Sequence, residues 1–530
     1  MPKPILLFLS FLVAAGTAAA QQRNLPLQQE HNRVVEGELM RQNKPLHSSI
    51  RPFLQQEIED EGVAVDSLMD ARYGNTNEPN RSWLYRKLFQ EHLLPYRRGN
   101  AFITADPLLD IRPGYASGTG LVYTNTIGVQ LQGDLTPKLS FYAALYENWS
   151  RFPGYLDAYT QERGMAPGQG RASRTNDSRD WLYTLPMGYI SYTPSEYFNI
   201  QAGHDKLFFG DGYRSLFLSD YAYSYPFFKI NTTFWKIKYT NLWTQFVDAS
   251  DGLSDKPYPK KYASYQYLSF LPSPTWNISL FQAMLWSSRH SGVKGIELAY
   301  LNPIIYMNSA NFNMGSPGNS MMGLNLRHTF LNRYNAYGQF VIDDLFIEEH
   351  RGHINQKYAF QLGLKGFHAF GVQNLYLQAE YNEARPYIHG HRTRILSNTH
   401  FNEPLAHPFG ANFRELVLTG SYRYKRWEAN ALFNRSRYGT DSTGANFGKN
   451  IFLSEPEGPE WSRDHRTGQG VRTDFIYFRP TLSYLLNPRT HLKLQAGYTF
   501  RRESSAQVNN TAHIIYFGIK TDLINRYYDF

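Results

Sequence analysis

Residues 203–220 read GHDKLFFGDGYRSLFLSD, and few stretches of the chain hold so much chemistry so closely spaced. Lys206 and Arg214 are donors, while Asp205, Asp211 and Asp220 are acceptors. Phe208, Phe209, Tyr213 and Phe217 offer flat apolar faces. Sugars are held by this mixture: aromatic planes against their C–H faces, and charged or amide groups against hydroxyls and carboxylates. Gly203, Gly210 and Gly212 are expected to let the backbone bend sharply at positive φ. Two readings stand side by side. Lys206, Asp211, Tyr213, Arg214 and Asp220 grip a glycan, or the segment is an inward-folded plug whose ion pairs hold it in place.

Other clusters are weaker. Asp343-Asp344, followed by Glu348-Glu349, offers paired carboxylates for a cation or for acid–base work, with a solvated strand end as the default. Ile296 to Pro303 leads into a Gly/Asn/Met loop that ends near Asn319. Glu383, Arg385, His389, His391, Arg392 and His400 share one loop ahead of Asn402–Gly410. The histidines match neither helical i,i+4 pairs nor a zinc spacing, so polar contacts are the default and no metal or cofactor is expected. No G-x-S-x-G elbow or comparable catalytic set stands out. A non-enzyme is expected.

The elements that position these residues follow from the ends and the composition. Lys3, the apolar run Ile5–Ala15 and Ala18-Ala19-Ala20 read as a cleaved export signal over 1–20. Beyond it no apolar run is long enough for a spanning helix, and mean hydropathy is −0.49. Aromatics make up 16% of the chain but charged residues only 19%, against about 25% charge in ordinary globular domains. That combination fits strands with apolar side chains outward and polar ones inward. Cysteine is absent, which excludes a disulfide scaffold and thiolate metal sites. The net charge of +9 suits lipid headgroups or acidic polysaccharide; export argues against nucleic acid.

Residues 21–98 are polar and are expected to form a partly helical periplasmic segment packed on one barrel mouth, or a partly disordered leader. The most helical window is Asn80–Leu94, capped by Ser82 and stopped by Pro95. From about residue 99 to 530 the period becomes two. Tyr358, Phe360, Leu362 and Leu364 alternate with Ala359, Gln361, Gly363 and Lys365; Leu492, Leu494, Ala496 and Tyr498 alternate with Lys493, Gln495, Gly497 and Thr499. Strands pair across short turns (120–134 with 138–149, 355–366 with 371–382, 413–424 with 427–437, 473–485 with 490–502). Long polar loops separate the pairs, at 154–180, 250–261, 384–412 and 438–471. The fold class that results is all-β: a transmembrane antiparallel outer-membrane β-barrel of 17 to 19 strands, with 18 favoured by closure and even number. The ending Tyr527-Tyr528-Asp529-Phe530 reads as an aromatic last strand of the kind recognised by the barrel assembly machinery.

With these residues placed, a resemblance emerges. Gly203–Phe228, with Ser215–Asp220 and Tyr225-Pro226-Phe227, resembles the capsule-assembly Wzi family, and Asn302-Pro303, Asn319–Asn325 and Asp343-Asp344 follow in the family's order. His47–Pro52, Asp106-Pro107-Leu108, Tyr146-Glu147-Asn148 and Pro404–Phe413 look most like the RemB-type members linked to gliding motility. Asp211 stands where the enterobacterial pattern has a proline. The resemblance covers roughly residues 45–530. It implies an 18-stranded barrel in the cell outer membrane, with a lumen blocked by loops and a lectin-like hold on capsular polysaccharide. It also implies that Arg214 and Lys206 meet acidic sugar groups and that Tyr213 stacks, with Asp343 and Arg385 as further lumen or rim contacts. The rival expectation is an accessory part of gliding or secretion machinery acting through protein contacts; a simple diffusion channel is a third.

Overall fold

The computed structural model describes residues 22–75, 80–174, 179–249, 257–287, 298–307, 318–344, 352–442, 444–458 and 464–530. The expected export signal, Ile296-Glu297 and Glu348-Glu349 lie outside the described residues. Strands form where the two-residue period predicts them. They are β1 (Ala101–Ala116), β2 (Gly120–Thr136), β3 (Leu139–Arg151), β4 (Trp181–Ser195), β5 (Phe198–Asp205) and β6 (Tyr225–Phe234). Next come β7 (Ile237–Val247), β8 (Lys260–Ser273), β9 (Trp276–Trp286), β10 (Asn319–Phe330), β11 (Tyr334–Asp344) and β12 (Lys357–Phe367). The last six are β13 (Leu375–Ala384), β14 (Phe413–Tyr424), β15 (Trp427–Thr440), β16 (Val471–Asn487), β17 (Leu492–Ser504) and β18 (Asn509–Thr521). Each pairs antiparallel with the next, and β18 returns to β1, so the 18 strands close a barrel. Closure leaves no unpaired edge, which is the condition for crossing a bilayer with strands.

Turns at one end are short, such as 137–138, 196–197 and 235–236, and the long loops 152–180, 206–224, 385–412 and 441–470 leave the other end. Alternation sorts the faces as expected. On β12 Ala359, Gln361 and Lys365 point inward and are buried, while Leu362 and Leu364 are exposed. Ile127, Val129, Ile190, Ile515 and Phe517 extend the same outer apolar belt. Exposed aromatics gather near the turn-side rim (Phe198, Phe234, Trp235, Trp276, Tyr424, Trp427), as at a membrane interface.

The lumen is filled from three directions. From the turn side come α1 (Gln29–Arg41), α2 (Gln55–Asp60) and α3 (Val65–Tyr73), which close over an apolar cluster that includes Val35, Leu39, Phe53, Ile58 and Leu485 of β16. From the loop side comes 206–224. The third filler is 522–530, which turns back from the end of β18 into the interior. This last placement corrects the sequence reading. Phe530 is not on the last strand; it packs 4.8 Å from the ring of Tyr159, inside the barrel.

The N-terminal segment also differs from expectation. Its longest helix is α1, which the sequence hid because both of its faces meet partners; inward-facing Glu36 is paired with Arg51 at 2.5 Å and Lys365 at 3.0 Å. The expected helix at 80–94 is shorter. α4 (Trp83–Phe89) has Ser82 at its N-cap, whose Oγ accepts from the Tyr85 N–H. The chain leaves it well before Pro95, to form a short strand, Leu94–Arg98, that pairs with the start of β1.

The plug 206–224 is anchored by rings. Phe217 has no exposed surface, stacks 4.3 Å from Phe281 and covers Gly323, where a Cβ would sit 2.4 Å from it. Phe209 stacks 4.8 Å from Tyr267. Phe217→Ala is expected to cost about 3–5 kcal/mol of plug docking. The result should be faster protease cleavage within 206–224 while the barrel keeps its heat-modifiable gel mobility.

Candidate functional site

Of the three glycines in the opening stretch, only Gly210 has positive φ, at 146°. The other two serve close approach. A Cβ on Gly203 would lie 2.2 Å from the Gly188 carbonyl oxygen, and one on Gly212 would lie 2.4 Å from Glu380 Oε2. The bend delivers Arg214 to the middle of the lumen, where it is 2% exposed. Its Nη2 donates to Glu415 Oε1 (3.1 Å), Asp529 Oδ2 (2.8 Å) and the Asp529 carbonyl (3.0 Å). Burial works against the charge, but the Asp529 and Glu415 carboxylates outweigh it and hold the Arg214 pKa well above its usual value. Glu415, on β14, also accepts from His407 Nε2 (2.6 Å) and Asn434 Nδ2 (2.6 Å). Glu380, on β13, accepts the Tyr213 and Arg214 backbone N–H groups and the Tyr337 hydroxyl.

The remaining predicted residues of this stretch are engaged as fully. Lys206 Nζ donates to the Gly168 carbonyl (2.6 Å) and the Asp220 carbonyl (3.1 Å). Asp211 accepts from Ser48 Oγ and from Asn325 Nδ2 (2.9 Å). Tyr213 donates its hydroxyl to Asp529. Asp220 accepts from Asn525 Nδ2 and the Tyr527 hydroxyl, both at 2.8 Å. All five are buried and bonded to protein partners, although among the described residues Nε and Nη1 of Arg214 have no hydrogen-bond partner. Asp343 and Arg385 sit apart, half-buried near the loop end of the wall. Asp343 Oδ2 accepts the His389 N–H at 2.9 Å, and Arg385 donates to the Gln356 and His465 carbonyls, each at 2.9 Å.

Two motifs far apart in sequence also meet here. Ile50-Arg51 forms a two-residue ladder with Phe208-Phe209, and Ser48 reaches Asp211. The residues that carry the family resemblance at His47–Pro52 and at the plug are therefore one packed unit.

Above the plug, the loop face holds a pocket that sequence reasoning missed. It has a volume of about 230 Å³, bounded by Arg163 at the end of α5 (Gly154–Arg163), Phe409, and the 441–452 segment. Arg163 lies 4.4 Å from the ring centre of Phe452, and Lys449 lies 4.4 Å from that of Tyr438 and 5.4 Å from that of Phe409. Asp441 and Asn450 complete the polar wall. Arg163 donates to the Asn402 carbonyl and lies 3.9 Å from the Glu162 carboxylate, and Lys449 donates to the Phe409 carbonyl. Burial, with Arg163 nearby, brings the Lys449 pKa down to about 8. Half-buried cations over aromatic planes suit an anionic ligand with apolar faces. The only sequence signal was Phe409-Gly410 beside a long loop; the partners come from three separate loops.

No family model matches the chain, and neither does any curated protein. Among solved structures it resembles Wzi, an outer membrane protein involved in group 1 capsule assembly in Escherichia coli and a carbohydrate-binding β-barrel. The TM-score is 0.57 at 12% identity, over 93% of this chain and 98% of that one. The fold is that of an outer-membrane β-barrel. OprD of Pseudomonas aeruginosa (TM-score 0.42, 9% identity, 79% of this chain and 94% of that one) and OccAB2 of Acinetobacter baumannii (0.39, 11%, 78% and 96%) are more distant.

Two outcomes follow from this geometry. Arg214→Ala leaves Glu415 and Asp529 buried without their cation and is expected to cost about 3–5 kcal/mol, seen as a lower temperature for the barrel's gel-mobility transition; an unmoved transition would show the cluster to be dispensable. His400, in the 385–412 loop, accepts the Val247 N–H at Nδ1 and faces the Ser224 carbonyl with Nε2 (3.2 Å). Burial, with Lys261, His204 and Lys206 adding to it, pulls its pKa from 6.5 down to about 3. Because the folded value is the lower one, its contribution is full above about pH 6.5 and is lost as pH falls towards 3, at about 1.4 kcal/mol per unit. Protease nicking of 385–412 should rise on acidification, and less so in His400→Gln.

Proposed function

We propose that this chain is a non-catalytic outer-membrane barrel that holds an acidic surface polysaccharide on its loop face, in the manner of a lectin. The observation that carries this reading is the pocket of Arg163, Lys449, Phe409 and Phe452 on the loop face. A lumen occupied by helices, a loop and the tail is poorly suited to diffusion of solutes. The pocket instead offers cations for uronate or other acidic groups and ring faces for the sugar itself. The overall likeness to Wzi, a carbohydrate-binding barrel, supports the same class of ligand and membership of the same family.

On this reading Lys206, Asp211, Tyr213, Arg214 and Asp220 serve one layer down. They fix the plug that shapes the loop face, with Asp343 and Arg385 bracing the loops at its edge. The rival role in gliding or secretion through protein contacts draws on short motifs, and one of those, His47–Pro52, is folded against the plug rather than displayed.

The test is direct binding of acidic polysaccharide to the purified barrel. Lys449→Gln combined with Phe452→Ala is expected to weaken binding by at least about tenfold, since a charge-assisted contact and a ring face each contribute on the order of 1 kcal/mol. Binding by the wild type should also fall as pH rises through about 8, where Lys449 loses its proton. Unchanged binding in a folded double variant would sink the assignment. In cells, loss of the protein should release polymer to the medium and restoration should retain it.

A further inference from the structure

Four of the seven residues of α4, Trp83, Leu84, Tyr85 and Leu88, are large, apolar and exposed, and none of its residues is buried. Trp83 is 58% exposed, Leu84 59% and Leu88 44%. A loose segment would explain such exposure, but this helix is held. Asn487, at the end of β16, donates from Nδ2 to the carbonyls of Lys87 (3.0 Å) and Glu91 (2.9 Å), and Asn75 donates to that of Gln90 (3.3 Å). Lys87 Nζ closes the last turn on Glu91 at 2.8 Å. The barrel thus grips the helix by its polar C-terminal end and leaves its apolar surface uncovered.

What covers that surface is indicated by the strand that follows. Leu94–Arg98 pairs with β1 beyond the point where β18 ends, so it occupies the seam of the barrel on the turn side. Leu94 lies opposite Ala105 and Tyr96 opposite Ile103. Directly paired residues share a face, so Leu94 and Tyr96 point outward with the membrane-facing residues of β1. Both are more than half exposed, at 61% and 53%. α4, held at the end of β16 and one short connection upstream of this strand, therefore stands at the turn-side rim of the lipid-facing belt. Residues 80–98 carry Arg81, Arg86, Lys87, Arg97 and Arg98 against the single carboxylate Glu91. Tryptophan, tyrosine and leucine beside basic residues, on a helix at the edge of a hydrophobic belt, are the features of an interfacial helix.

We propose that α4 and the seam strand lie in the headgroup layer of the adjoining phospholipid leaflet. There Trp83, Leu84 and Leu88 dip into the acyl boundary and the basic residues meet anionic headgroups. Short turns mark the periplasmic side of such barrels, so the leaflet is the inner one. The helix then clamps the seam between first and last strands to the membrane.

The chain has no cysteine, so single reporters can be placed in the full-length protein. Leu84→Cys, Leu88→Cys and, as a water-facing control on α2, Asp60→Cys would each carry a nitroxide. Each variant, checked for heat-modifiable mobility, would be reconstituted in vesicles of phosphatidylethanolamine with or without phosphatidylglycerol. Labels at 84 and 88 are expected to collide with dissolved oxygen several-fold more than with a water-soluble nickel chelate, and the label at 60 the reverse. Phosphatidylglycerol should deepen the first two, and the added Arg81→Gln and Arg98→Gln substitutions should remove that increment. Equal access of chelate to all three labels would overturn the proposal in favour of a water-exposed helix. Protection of 84 and 88 from both reagents would overturn it in favour of packing against protein.

Discussion

One buried cation ties the interior together. Arg214 comes from a loop, Glu415 from the wall and Asp529 from the tail, and the guanidinium joins all three in a space closed to water. A charge taken out of solvent is tolerated only when its partners are fixed in place, so this contact dictates much around it. Glu380 must receive the two backbone N–H groups beside Arg214, Asn434 and His407 must hold Glu415, and Gly212 must stay small enough for the loop to reach them. Several lumen-facing polar residues of the wall, Glu380, Glu415 and Asn434 among them, are spent on this interior.

The wall was legible in the sequence because its signal is local. Alternation on β12, β13 and β17 assigns lipid and lumen faces residue by residue, and the short turns fix which strands pair. The interior was far less legible. Nothing in the spacing of Tyr527 and Asp529 announces that they sit beside residues 213–220, because the link depends on where a closed barrel returns its last strand. The aromatic ending imitates a final strand, yet Ile524 and Asn525 break the alternation just before it, a cue that the strand has stopped. α1 was masked for a related reason. Helical amphipathicity is visible when apolar and polar residues sort onto separate faces, whereas this helix buries His31, Asn32 and Glu36 along with Val34, Val35 and Leu39.

The loop pocket shows the same limit. Arg163, Phe409 and Lys449 are separated by hundreds of residues or by whole hairpins, and each alone is ordinary. Convergence of three loops at one mouth made the arrangement, with Pro404, Pro408 and Phe409 lining it opposite Lys449 and Phe452. The residue types singled out at 203–220 were the right chemistry for a polyanion, but their spacing could not show that the protein itself supplies the acceptors.

The tail carries a consequence for biogenesis. Arg214 and Asp529 are 315 positions apart in the chain, and contacts of such separation form late because the intervening loop must be ordered first. The Arg214–Asp529 contact therefore cannot form until the polypeptide is complete through residue 529. The joint between loop and tail is thus made after the wall that lies between them in sequence.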